Sequence, residues 1–326
     1  MNIVYTINDA FAPQVSASIA SVCENNPDAD EINFYIFGDG LSSTVRKNLS
    51  SVAHASSRNL YVVDIAGYTD AFDGFDTKGW NEIVLARLMV GRYLPIDLHR
   101  VLYLDGDTIA VGSLRDLWET PLDDCVIGAA IEATVDRKRI MELGIAGRPY
   151  FNAGVLLIDL DKWRSMDAEK AVIECCKQRK DELFANDQDA INISLGSKIK
   201  PISLAYNYCN SYEFYPYKTL LRLSQGTYFY SKEQFADAVA HPKIIHFLGE
   251  ERPWRAGSTH TFTGAYKKYL ALTPYKDTPD ELGWQAYFKI WSCFNSVTKH
   301  MPMIRYRLIS NLIPVFMRYR TLHKSK

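Results

Sequence analysis

The first 65 residues alternate in a way that few architectures accommodate. Residues 3–7 read as a buried strand, and Val15, Ile19 and Val22 then recur at i, i+4 and i+7, one face of a helix. Residues 32–37 form a second apolar run, closed by Gly38-Asp39-Gly40; residues 42–54 read as a polar helix and 60–64 as a third strand. Strand, helix, strand, helix, strand predicts a mainly parallel sheet with helical crossovers, a Rossmann-like α/β fold.

Further along, residues 81–93 look helical with Ile83, Leu85, Leu88 and Met89 inward, and 101–104 form a short apolar strand. Residues 126–131 and 154–158 are further buried strands, and 243–247 a late one. Asp159 is placed to cap one helix running through Trp163 toward Lys180. From about residue 278 the pattern turns helical and basic, with Pro302 and Pro314 as breakers. The expected division is one α/β domain over 1–277 and a helical, aromatic-rich extension over 278–326.

Four local features carry chemistry. Asp105-Gly106-Asp107 follows the strand at 101–104, so two carboxylates stand at the carboxyl edge of the sheet, where open α/β folds bind ligands. Their mutual repulsion would be relieved by a hard divalent cation, although the same tripeptide also suits a plain turn. His246 closes the late strand and Arg252 follows six residues on; an imidazole can bind a metal and a guanidinium a phosphate, and a structural strand-end histidine is the alternative. Asn152 precedes what looks like a small-residue turn into an apolar strand. Asn186-Asp187-Gln188-Asp189 heads a helix, where an acidic first turn would by itself answer to the helix dipole.

Charge is unevenly placed. After Glu281 the chain has eight Lys or Arg, ending at Lys326, and no carboxylate, so the preceding part carries 29 basic and 38 acidic side chains. A basic end mixed with Trp284, Tyr287, Phe288, Trp291, Phe294, Tyr306, Phe316 and Tyr319 fits an anionic membrane surface. The acidic body and the lack of a recognition motif speak against nucleic acid. Six scattered cysteines give no disulfide framework or C-x-x-C pair, no leader is evident at the N-terminus, and no apolar run approaches the ~20 residues of a spanning helix. A cytoplasmic protein docked on the inner face of the membrane is the resulting expectation.

Taken in order, the segments 102–107, 151–157, 187–189 and 246–254 resemble family 8 glycosyltransferases, the retaining GT-A group that contains bacterial lipopolysaccharide and lipooligosaccharide α-galactosyl- and glucosyltransferases and, more distantly, glycogenin. The resemblance runs from Ile3 to about Trp254. It implies a hexosyltransferase that uses UDP-galactose or UDP-glucose, a lipid-linked saccharide acceptor, and Mn²⁺, with Mg²⁺ as the other choice. By the same resemblance Asp105, Asp107 and His246 would hold the metal. Thr6 and Asn8 would lie at the nucleoside, Arg87 and Asn152 near the donor sugar, and Gly249 and Arg252 over the diphosphate. Asp187 and Gln188 would position the transferred sugar. Departures are Asn8 where Asp is common, Arg252 where Lys is usual, and Glu132 where Asp often faces the acceptor. Three other readings compete with this one. A haloacid-dehalogenase-type phosphatase would need Thr or Val where Ile109 stands, and a nucleotidyltransferase would need a Gly-rich basic loop that residues 8–13 lack. A non-catalytic nucleotide-sugar or glycan binder of the same fold is the third.

Overall fold

The structure, a computed structural model, describes residues 1–224 and 227–324; Lys326 of the basic end lies outside the described residues. Its strands are β1 (Asn2–Ile7), β2 (Asn33–Gly38), β3 (Asn59–Asp64), β4 (Arg100–Leu104), β5 (Thr108–Ala110), β6 (Ile127–Ile131), β7 (Phe151–Asp159), β8 (Ile199–Pro201) and β9 (Ile244–His246). Seven of them form one sheet in the order β3-β2-β1-β4-β7-β6-β8, while β5 and β9 pair in a separate antiparallel ribbon. The first three strands pair in parallel, with helices Ala12–Asn25 and Ser43–Ala55 as the crossovers.

Burial explains why the early strands read as unbroken apolar runs. Ile3, Val4, Tyr5 and Ile7 on β1 are fully enclosed, as are Phe34, Ile36 and Phe37 on β2. A strand covered on both faces has no polar alternation to show. Each such aliphatic side chain contributes about 1.5–3 kcal/mol over its exposed state. The helix Ser43–Ala55 starts at Ser42, whose hydroxyl accepts the Val45 N–H at 3.3 Å; losing such a cap costs about 1 kcal/mol.

The later part corrects several expectations. β7 runs antiparallel to β4 and β6, with Leu104 opposite Val155 and Phe151 opposite Ile131. The connection from β6, residues 132–150 with the short helix Arg137–Glu142, returns the chain antiparallel beside β6 instead of crossing to a parallel position. β7 also begins at Phe151, not 154. Asn152 and Gly154 lie within the strand, because Asn152 finds hydrogen bonds on neighbouring segments and its polarity does not end the run. Because β7 is reversed, its start stands at the same sheet edge as the ends of β1, β4 and β6.

Asp159 does cap a helix, accepting the Lys162 N–H at 2.9 Å. That helix stops at Ser165, however, and Asp167, in the left-handed region at φ 51°, turns the chain into a second helix, Ala168–Gln178. An aspartate tolerates that conformation better than most residues. Residues 82–89 wind as a tighter 3₁₀ helix before one α-turn, Val90–Tyr93; Ile83 is only half-buried, and Arg87 is buried in its place. At the C-terminal end, Pro302 opens the helix Pro302–Lys324, where its missing N–H is harmless, and the helix continues through position 314.

The helix Gln285–Thr298 packs on the body. Trp291 Nε1 donates to Glu251 Oε2 at 3.3 Å, and the Arg255 guanidinium lies 3.5 Å over the Trp284 ring. Arg305, one of the eight C-terminal cations, is buried against Phe214 and donates to Asn295 Oδ1 at 2.8 Å.

Candidate active site

Asp105 follows β4 directly, and a tight turn carries the chain through Gly106 and Asp107 into β5. The Thr108 hydroxyl donates to the Asp105 carbonyl at 2.8 Å and pins that turn. β5 pairs with β9 so that Thr108 lies opposite His246, which brings a histidine from far along the chain to the two carboxylates. His246 Nε2 is 3.2 Å from Asp107 Oδ1 and 3.7 Å from Asp105 Oδ2. One ligand atom from each of the three residues falls within 4.8 Å of the others.

The protons around the imidazole are set by a chain of amides. The Gly154 N–H donates to Asn152 Oδ1 at 2.9 Å, so that oxygen is an acceptor. Asn207 Nδ2 donates to the same oxygen at 2.8 Å, which leaves Asn207 Oδ1 to accept from His246 Nδ1 at 2.8 Å. With Nδ1 committed as donor, Nε2 faces two carboxylates and needs a positive charge between them, a proton or a metal ion. Burial disfavours the imidazolium, but Asp107 and Asp105 outweigh it and hold the His246 pKa above its ordinary value. Burial likewise opposes ionisation of Asp107, and the charges of His246 and Arg252 overcome it, so its pKa lies below normal. A Cβ on residue 154 would stand 2.1 Å from His246 Cε1 and 2.9 Å from Asp105 Oδ2. Only glycine lets the imidazole come this close. Two hard carboxylates and one imidazole, oriented from behind and with space kept by Gly154, fit a divalent cation.

Beside this cluster Arg87 is buried and bridges two acids, at 3.0 Å to Asp105 Oδ1 and 2.8 Å to Asp187 Oδ2. It also donates to the Ala153 carbonyl at 2.7 Å and lies over the Tyr103 ring. The exposed helix arginine that local sequence would allow is therefore not what Arg87 is. Burial pushes Asp187 up to about 6 despite Arg87. Gln188, one residue on, is held at every amide position. Its Oε1 accepts the Ala153 N–H at 2.9 Å, and its Nε2 donates to Glu132 Oε2 at 3.2 Å and to Tyr150 Oη at 3.1 Å. Asn152 Nδ2 reaches the same Glu132 oxygen at 3.0 Å.

The remaining predicted residues rim this centre. Thr6, buried at the end of β1, exchanges a hydrogen bond with Tyr103 Oη at 3.1 Å, and Tyr103 donates to Asp105 Oδ1 at 2.7 Å. Asn8 is half-buried just beyond β1, and its side chain makes no cap hydrogen bond. Arg252 Nε donates to the Gly249 carbonyl at 2.9 Å, while its Nη2 lies 3.4 Å from Asp107 Oδ2. Gly249 has φ 75° and open space around its Cα, so the loop turns where a side chain would be strained.

Sequence reading missed Asn207, Gly154 and Tyr103. Asn207 sits in a short 3₁₀ turn, Leu204–Asn207, with no motif around it. Gly154 reads as one more small residue of an apolar strand. The turn glycine Gly106 also matters more than its place in the motif suggests, since a Cβ there would lie 2.8 Å from Val15 Cγ2 and 2.9 Å from Phe11 Cδ1.

Residues 2–257 match the profile of glycosyl transferase family 8. The chain belongs to this family. Among the similar proteins is General stress protein A of Bacillus subtilis, 23% identical over 286 residues that cover 84% of this chain and 94% of that protein. Lipopolysaccharide 1,3-galactosyltransferase of Salmonella typhimurium is 25% identical over 288 residues, covering 84% and 79% respectively. Galactosyltransferase LgtC, solved with donor and acceptor sugar analogues, matches with a TM-score of 0.72 at 27% identity, over 88% of this chain and 99% of that one. As a family 8 member the chain is a glycosyltransferase with the GT-A fold, and membership sets aside the phosphatase and nucleotidyltransferase readings. The family 8 match ends before the helix Gln285–Thr298 begins.

Proposed function

We propose that this chain transfers galactose or glucose from a UDP-sugar to a saccharide acceptor of the lipopolysaccharide type, with retention of anomeric configuration, working on the cytoplasmic face of a bacterial membrane. The observation that carries it is the Asp105–Asp107–His246 cluster, set at the sheet edge beside a fully engaged Gln188. The names of the similar proteins support the choice of sugar and acceptor.

Asp105, Asp107 and His246 hold the divalent ion, Mn²⁺ for preference, which when bound offsets negative charge on the diphosphate and the leaving nucleotide. Arg252 adds a second positive charge from the 249–252 loop. Thr6 and Asn8 form the nucleoside edge. Arg87, locked by two carboxylates, fixes Asp105 and Asp187 against each other, so that Asp187 and Asn152 present a rigid polar wall to the sugar. Gln188 is a positioning group. Its amide oxygen is already an acceptor and its nitrogen a double donor, and an amide is a poor nucleophile. Retention then follows from front-face attack, in which the acceptor hydroxyl enters on the side the phosphate leaves and gives that phosphate its proton.

The division into a catalytic part, 1–277, and a surface-attachment part, 278–326, belongs to the same reading. What supports it is a stripe of exposed Ile304, Leu308, Leu312 and Val315 on the last helix, with exposed Lys289, Lys299 and Arg307 nearby in the chain. Among the described residues no helix is long and apolar enough to cross a membrane.

The test is a donor screen with purified protein and Mn²⁺, reading slow UDP release without acceptor. UDP-galactose or UDP-glucose is expected to stand at least ten-fold above other nucleotide sugars. Metal-independent UDP binding with no release from any donor would instead mark a non-catalytic binder. For the mechanism, Gln188→Glu is expected to show no glycosyl adduct by intact mass. A stable adduct there, together with complete loss of transfer in Gln188→Ala, would establish double displacement.

A further inference from the structure

A second feature adjoins the reaction centre without belonging to the donor site. Between residues 131–150, the helix Tyr217–Leu223 and the start of the helix Pro302–Lys324 lies a groove of about 650 Å³. Glu132 and Tyr150, the two groups that hold Gln188 Nε2, are among its lining residues and connect it to the reaction centre. Ile140, Leu221, Met303 and Tyr306 give it apolar walls, so the C-terminal helix closes one side.

Three arginines, Arg137, Arg148 and Arg222, are also among its lining residues. Among the described residues none of the three has a side-chain hydrogen bond or an ion pair. Neighbouring cations are accounted for: Arg139 pairs with Asp189, and Lys138 with Glu142 at 3.6 Å. The carboxylates at the groove are occupied too. Asp136 accepts the Lys138 N–H at 2.8 Å as a helix cap, and Glu132 accepts from Gln188 and Asn152. Three arginines without a side-chain partner, from the helix Arg137–Glu142, the loop before β7 and the helix Tyr217–Leu223, thus border one concavity, and the guanidinium fork suits phosphate oxygens.

We infer that this groove receives the acceptor and that Arg137, Arg148 and Arg222 bind a phosphate carried by that acceptor. The inference rests on the glycosyltransferase reading and narrows it to a phosphorylated saccharide. Its polar part leads to Gln188, and the wall from the C-terminal helix covers the part of the acceptor remote from the reacting hydroxyl.

The experiment titrates full-length protein, with UDP and Mn²⁺ present to fill the donor site, against lactose and lactose 1-phosphate as matched probes. The phosphorylated probe is expected to bind at least ten-fold more tightly at low salt. Arg222→Gln alone should cut that preference at least three-fold, and the Arg137→Gln/Arg148→Gln/Arg222→Gln variant should abolish it with little change in melting temperature. Lys138→Gln, outside the groove, should keep it. Equal binding of the two probes, a preference that survives the triple substitution, or competition by added UDP would overturn the inference. UDP release from donor, read on the same preparation, tests the transferase reading separately. Absence of release overturns that reading, whereas equal probe binding overturns only the phosphate assignment.

Discussion

At the residue scale, single atoms decide whether the metal cluster exists. Adding one methyl at Gly154 sets a carbon 2.1 Å from His246, so Gly154→Ala must push the imidazole off the carboxylates. The expected result is a fall of at least 100-fold in Mn²⁺-dependent UDP release, with overpacking costing about 1–3 kcal/mol in urea unfolding. Normal Mn²⁺ affinity by titration calorimetry in this variant would remove His246 from the ligand set. His260 supplies the pH term. It is buried against Phe247, accepts the Phe262 N–H through Nδ1, and burial pushes its pKa down to about 4 from 6.5. The unfolded chain therefore takes up a proton that the folded chain refuses between those values. This contribution is absent above pH 6.5, and stability declines as pH falls from 6.5 toward 4, by about 1–3 kcal/mol. Urea unfolding at pH 5 and 7.5 should show a smaller acid-side loss in His260→Gln than in wild type. An equal loss in both would assign the slope to other groups.

At the element scale, the helix Gln285–Thr298 is tied to the loop that bears Arg252. Trp291 holds Glu251, and Arg255 pairs with Glu250 while lying under Trp284. Cutting the chain near 281 would thus disturb the donor loop as well as any membrane contact, and a truncation cannot report on docking alone. Leu308→Glu with Leu312→Glu is the cleaner change, since both side chains are exposed and far in sequence from that tie. Co-sedimentation with vesicles of 30% anionic lipid should drop at least five-fold, while UDP binding stays as in wild type. Unchanged sedimentation would rule this stripe out as the docking face. Sequence reading erred here in two places, one helix being split at Asp167 and Pro314 lying within a helix, and it left the direction of β7 unstated. Periodicity records which side chains are buried; it does not record strand direction, nor which break the surroundings will tolerate.

For the whole molecule, the first part of the sheet was legible because strands covered on both faces leave long apolar runs, and the runs of β1, β4 and β9 end at or beside proposed site residues. Asp105, Asp107 and His246 could be named from such endings. Asn207 could not, because its role depends on the orientation of an imidazole delivered by β9. The proposed donor pocket draws on β1, β4, β7 and β9, so filling it should bind the chain into one unit. UDP with Mn²⁺ is expected to raise the melting temperature by several degrees, and EDTA to return it to within a degree of the UDP-only value. A full shift with UDP and EDTA would mean that the nucleotide is held without metal. The reversed strand has one more consequence. The stretch 132–150 leaves the sheet at one edge and re-enters at that same edge, as a handle leaves and rejoins a cup. Its exchange for the corresponding stretch of another family member should therefore change what is glycosylated while the grip on the nucleotide stays as it was.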